Sequence, residues 1–150
     1  MISYASEFVS LEEMKTYLQI KKIVEAMPGL HLGKDDDGKD IVLSCHILAR
    51  AIARVFGLDF VDGHFLTAYE HSWVTLPSGK IIDVYPVAAV GGPIMYDRHF
   101  LSPAHRLYKK QLKRGRRVVK DAEETWFKEA VEKTTQEIFS LGKVSGRMSR

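Results

Sequence analysis

Only one cysteine, Cys45, occurs in this chain of 150 residues. No intramolecular disulfide is possible, so nothing demands an oxidising compartment, and a reducing, cytoplasmic setting is expected. No apolar run approaches the roughly 20 residues of a membrane span, and the start lacks the basic-then-apolar order of a signal peptide. The chain also has no internal repeat and no low-complexity segment. Its histidines show no compact ligand spacing. His64, His99 and His105 with Glu70 match no metal motif, so no metal site and no cofactor are expected. Asp35-Asp36-Asp37-Gly38 begins like a calcium loop, but Gly33 and Lys34 stand where ligands would be needed, and the stretch reads as a plain turn.

What is present is the composition of a globular domain, 45% hydrophobic and 27% charged. One domain over residues 1–142 is expected, followed by a frayed tail over 143–150. The net charge of +3 is unevenly placed. Arg106, Lys109, Lys110, Lys113, Arg114, Arg116, Arg117 and Lys120 lie close together with no acidic residue among them. Such a segment reads either as a solvated helix face with a basic loop or as a dock for an anionic partner.

Local signals divide the chain into helices around a β-rich centre. Ser10 to Glu13 is a capping box, Val9 with Met14 can staple it, and Leu11, Met14, Leu18 and Val24, with Ile20 and Ile23 as further members, read as the apolar residues of a helix stopped near Met27 by Pro28-Gly29. Ser44 is a good N-cap for a second helix over Cys45–Phe56, whose broad apolar face is Ile47, Leu48, Ala51, Ile52, Val55 and Phe56. Gly57 ends it. His46, beside Cys45, is expected on a different face of that helix. β-rich runs follow at 59–61, 65–69, 72–76 and 80–85, and Pro77-Ser78-Gly79 makes the last two a hairpin. After a Gly- and Pro-rich loop, Ser102-Pro103 predicts a helix ending at Gly115. Asp121 with Glu124 predicts the cap of a final helix that uses Trp126, Phe127, Ala130, Val131, Ile138 and Leu141 and ends at Gly142. The expected class is α+β, with the central helix on a small antiparallel sheet and helices from both termini flanking it.

The order Cys45, His71, Asp83 points to an enzyme. A helix N-terminus lowers a thiol pKa, an imidazole can take the proton, and a carboxylate can orient the imidazole. In the hairpin, His71 and Trp73 share one face, as do Ile81, Asp83 and Tyr85. A three-residue turn sets His71 diagonal to Asp83, a one-residue turn sets them directly opposite, and an even-numbered loop separates them. Tyr69, Trp73 and Tyr85 are candidates to line a substrate groove.

Leu43-Ser44-Cys45-His46, the Ala-rich helix to Gly57, His71-Ser72-Trp73-Val74, Pro77-Ser78-Gly79-Lys80 and Ile81-Ile82-Asp83-Val84-Tyr85-Pro86 together resemble the core of the transglutaminase-like superfamily. Phe60-Val61-Asp62-Gly63 falls where that family has a strand and a glycine, whereas Leu43-Ser44 replaces its usual Gly-x before the cysteine. The resemblance implies a papain-like fold with Cys45 as nucleophile, His71 as base and Asp83 as orienter. It implies a cysteine-dependent amide hydrolase or acyl-transferase working through a thioester on a protein or peptide substrate. The competing expectation is a non-catalytic binding module that uses Arg106–Lys120 to hold an anionic partner.

Overall fold

A computed structural model describes residues 9–27, 31–66, 69–85, 93–96, 107–110 and 119–145. Its elements run α1 (Leu11–Ala26), β1 (His31–Lys34), β2 (Asp40–Val42), α2 (Cys45–Phe56), β3 (Asp59–Phe65), β4 (Tyr69–Thr75), β5 (Ile81–Asp83), β6 (Ile94–Tyr96), β7 (Tyr108–Lys110), a 3-10 turn (Lys120–Glu123) and α3 (Thr125–Ser145). The fold is α+β: among the described residues, three α-helices with a two-stranded β1-β2 ribbon and a five-stranded antiparallel sheet of order β6-β5-β4-β3-β7. Among the described residues no helix is long and apolar enough to cross a membrane.

α2 is the helix the others are built around. Ser44 Oγ accepts the Ile47 N–H at its start. Gly57 ends it in the left-handed region, at φ 67°, where a side chain would be strained. Ile47, Leu48, Ala49, Ala51, Ile52 and Ala53 are buried, and the helix packs on β3 and β4 on one side and α3 on another. Arg50 and Arg54, on the polar side, form ion pairs with Asp62 of β3 and Glu132 of α3.

Sheet parity decides what α2 covers. β3 and β4 pair with Asp62 opposite Ser72 and Gly63 opposite His71, and β4 and β5 pair with Val74 opposite Ile82. Side chains alternate, so Asp62, Ser72, Val74 and Ile82 share one face, and His71, Trp73, Ile81 and Asp83 share the other. Val74 and Ile82 join the core cluster of α2, α1 and α3, while Phe65, Trp73, Ile81 and Tyr108 form a separate cluster. The body of α2 therefore covers the Ser72 face, not the His71 face.

The capping box of α1 is present, with Ser10 and Glu13 exchanging hydrogen bonds of 3.1 and 3.2 Å. Of the expected apolar residues Ile20, Ile23 and Val24 face the core, and Leu11, Met14 and Leu18 do not. Ile20 and Ile23 are buried with Tyr17, Val24 and Met27 against the core, whereas Leu11 and Leu18 are 82% and 51% exposed. At 100° per residue the two stripes lie on roughly opposite sides, and only one can face the core. Glu13 also reaches the hairpin, bonding Ser78 Oγ at 2.7 Å and the buried Lys80 Nζ at 3.0 Å, and Tyr17 donates to the Pro93 carbonyl at 2.7 Å. Pro28 and Gly29, expected to stop α1, lie outside the described residues.

The plain turn expected around Asp35 is present as the turn of the β1-β2 ribbon, where Asp35 Oδ1 accepts the N–H groups of Asp37 and Lys39. Other expectations are corrected. The run at 65–69 is not one strand: β3 ends at Phe65 and Leu66 turns the chain. The expected helix over 102–115 does not run through Tyr108–Lys110, which is β7, paired with β3 at the edge of the sheet. Non-local pairing there overrides a helix-like local pattern. Ser102, Pro103 and Gly115 lie outside the described residues, as do Arg106, Lys113, Arg114, Arg116 and Arg117 of the basic segment. Asp121 belongs to the 3-10 turn, so the final helix begins at Thr125, and it continues past Gly142 to Ser145. Its predicted buried face holds at Phe127, Ala130, Val131 and Ile138, with Thr134 added.

Candidate active site

The site lies where the first turn of α2 meets β4. The β4-β5 turn contains three residues, since Leu76 N–H donates to the Lys80 carbonyl at 2.9 Å and Thr75 pairs with Ile81. That is the register that sets His71 diagonal to Asp83. His71 Nε2 lies 2.8 Å from Asp83 Oδ2, and both side chains are buried. Facing a carboxylate, Nε2 carries the proton, which leaves Nδ1 to act as the basic atom.

Asp83 is held by more than His71. Tyr108 donates its hydroxyl to Asp83 Oδ2 at 2.7 Å, and the Tyr85 N–H donates to Oδ1 at 3.1 Å. Tyr108 comes from β7, which lies beside β3 because Gly63 has no side chain. A Cβ at Gly63 would sit 2.1 Å from the Lys109 carbonyl oxygen. The rings of Phe65, Trp73 and Tyr108 surround the imidazole of His71 with centroids 6.1 to 6.3 Å away. Such an apolar wall excludes water and strengthens the hydrogen bonds inside it.

Cys45 interacts with both neighbouring imidazoles. Burial opposes its charged form, but hydrogen bonding and charge from His46 and then His71 outweigh it, and the thiol is lowered from 9.0 to about 6. For His71, burial again disfavours charge, but Asp83 and then Cys45 raise it from 6.5 to about 9. The pair is thus arranged as thiolate and imidazolium at neutral pH. His71 Nδ1 nonetheless has no partner in hydrogen-bond geometry among the described residues.

The first turn of α2 adds donors. Ser44 takes the Ile47 and Leu48 N–H groups, whereas those of Cys45 and His46 precede the intrahelical pattern and have no partner within it. They are the kind of backbone group that can bind an oxyanion.

The expected groove residues separate. Trp73 is buried beside His71, while Tyr69 and Tyr85 are about half exposed. Among the described residues no group of His, Cys, Asp and Glu is arranged to hold a metal ion, and His99 and His105 lie outside them.

Two contributors were missed from the sequence. Tyr108 was hidden inside a stretch read as a basic helix. His46 was placed on another face of α2, yet its Nδ1 lies 3.7 Å from Cys45 Sγ. Arg50, four residues after His46, and Asp62, opposite Ser72 in the hairpin, were the available signals that a polar strip runs along this side of the helix. No protein-family model matches the chain, and no curated protein or solved structure matches it either.

Proposed function

We propose that this chain is a cysteine-dependent amide hydrolase or acyl-transferase built on a transglutaminase-like, papain-like core. The observation that carries the reading is the buried His71–Asp83 pair acting on a thiol lowered to about 6 at a helix start. The substrate favoured is a protein or peptide, and a reactive single thiol fits a cytoplasmic setting.

The chemistry follows from these residues. Cys45 Sγ attacks the carbonyl carbon of an amide, and the carbonyl oxygen becomes an oxyanion facing the first-turn N–H groups of α2. The His71 proton passes to the departing nitrogen as the C–N bond breaks, which leaves a thioester on Cys45. Water or a second amine then gives a proton to His71 and attacks the thioester carbon, and the S–C bond breaks. Asp83 keeps the imidazole in the required tautomer and stabilises its charged form.

The test is the alkylation rate of Cys45 by iodoacetamide against pH, in the wild type and in His71→Ala. The wild-type rate is expected to titrate near pH 6. In His71→Ala it should move toward the free-thiol value of about 8.5. Titration near 8.5 in both proteins would exclude the proposal. Salt-sensitive binding of a polyanion, unaffected by Cys45→Ala, would then favour a binding module using Arg106–Lys120.

A further inference from the structure

The mechanism above leaves one imidazole at the thiol unused. His46 Nδ1 lies 3.7 Å from Cys45 Sγ and 2.8 Å from Ser72 Oγ. Ser72 Oγ donates to Asp62 Oδ1 at 2.6 Å. The Arg50 guanidinium grips both Asp62 oxygens at 3.0 and 2.7 Å, and its Nη1 also donates to the His46 carbonyl at 3.1 Å.

The proton directions in this chain are forced. A carboxylate held by a guanidinium offers only acceptors, so the single hydroxyl hydrogen of Ser72 points to Asp62. Ser72 Oγ then has only lone pairs to offer His46, and Nδ1 must be the donor. The ring is held in the Nδ1–H form, and that one hydrogen is shared between Ser72 Oγ at 2.8 Å and, in the longer contact, Cys45 Sγ at 3.7 Å.

We infer that His46 is a second catalytic residue of the proposed thiol site, its one Nδ1–H shared between Ser72 Oγ and the Cys45 sulfur and locked in that tautomer by Ser72, Asp62 and Arg50. The inference rests on the thiol chemistry proposed above and adds a division of labour. His71 moves a proton and His46 keeps one. During acylation the electron pair of Sγ forms the S–C bond while the His71 proton leaves with the amine. During deacylation the S–C bond breaks and its electron pair returns to sulfur, where the His46 N–H stabilises the restored thiolate. His46 does not give up its proton, because a bare Nδ1 would face the lone pairs of Ser72.

The two histidines belong to opposite faces of β4. His71 shares its face with Asp83 and Tyr108, and His46 comes from α2, on the face of Ser72 and Asp62. Among the described residues, Cys45 and Arg50 of its own helix touch His46, and Asp62 of β3 reaches it through Ser72. His46 also lines a cleft of about 410 Å³ with Asp35, Asp40, Glu70, Lys120 and Asp121.

Nitrogen-15 NMR of histidine-labelled intact protein at neutral pH reads the tautomer directly. Protonated Nδ1 on His46 is the expected result, and a bare Nδ1 overturns the inference. Alkylation profiles of two variants test the consequence. His46→Asn keeps an amide N–H near the Nδ1 position and should stay within about twofold of the wild-type rate near pH 6. His46→Leu keeps no donor and should react about tenfold more slowly near pH 6 while approaching the wild type at alkaline pH. A wild-type profile in His46→Leu overturns the inference, as does His46→Asn reacting as slowly as His46→Leu. If His46→Leu fails to fold, the tautomer and the His46→Asn profile decide. A wild-type thiol titrating near 8.5 sinks the thiol reading itself, whereas a normal acid limb with His46→Leu unchanged removes only the role of His46.

Discussion

His71 Nε2 lies 2.8 Å from Asp83 Oδ2, while Nδ1 of the same buried ring has no hydrogen-bond partner among the described residues. Buried polar atoms are nearly always satisfied, and an exception marks a group kept ready for another partner. Here the satisfied nitrogen faces the carboxylate, and the thiol that shifts the titration of the ring belongs to Cys45. One histidine edge is thus structural and the other chemical.

Acyl transfer from an activated ester to Cys45 should follow a bell in pH. The acid limb reflects formation of the thiolate near pH 6, and the alkaline limb reflects loss of the His71 proton near pH 9. The measurement is the acylation rate of the wild type across that range. A single rise near the free-thiol value of about 8.5 would contradict it.

Asp83→Asn should lower the acylation rate by about 10²–10⁴, since the amide can no longer stabilise the imidazolium or enforce its tautomer. Tyr108→Phe removes one of the donors to Asp83. Its effect should be smaller, about tenfold, corresponding to a charge-assisted hydrogen bond of about 1.5 kcal/mol. Equal losses in the two variants would mean that Tyr108 does more than steady the carboxylate.

Gly63→Ala should damage both the sheet and the site. The added Cβ would lie 2.1 Å from a β7 carbonyl oxygen, backbone that cannot turn aside like a side chain. A loss of about 1–3 kcal/mol in urea melts is expected, with reduced hydrogen-exchange protection at 108–110 and slower acylation as Tyr108 leaves Asp83. Wild-type stability with intact protection at β7 would show that this edge tolerates a side chain.

The stability difference between the wild type and Cys45→Ala should depend on pH. The Cys45 value is depressed on folding, so from about 6 to about 9 the unfolded chain holds the extra proton and stability rises with pH. The His71 value is raised, so from about 6.5 to about 9 the folded chain holds the extra proton and stability falls with pH. In the wild type the two slopes cancel across that window. In Cys45→Ala only His71 remains, still raised by Asp83, so stability relative to the wild type should fall as pH rises above about 6.5. Urea melts at several pH values check this, and a difference that is flat or grows would refute the coupling.

Much of the site was legible because its determinants are local. Ser44 and Gly57 mark the ends of α2 through hydrogen bonding and a positive φ, and Cys45 therefore opens a helix. Pro77-Ser78-Gly79 forms a three-residue turn, and its odd length alone puts His71 and Asp83 on one face. Strand alternation carries that parity along the chain without any knowledge of the rest of the fold.

Which face α2 covers was decided only in three dimensions. Both faces of β4 are apolar enough to be buried, and the choice depends on long-range competition among α1, α2, α3 and β7 for the same sheet. That choice placed His46 against Ser72 and left the His71 face to Tyr108, whose strand exists only by pairing with β3. The sequence by itself determined that Cys45 opens a helix and that His71 and Asp83 share one sheet face, because caps, turns and alternation act over a few residues. Tertiary structure alone decided that the thiol interacts with two imidazoles and that a tyrosine holds the acid, because pairing and burial join residues far apart in the chain.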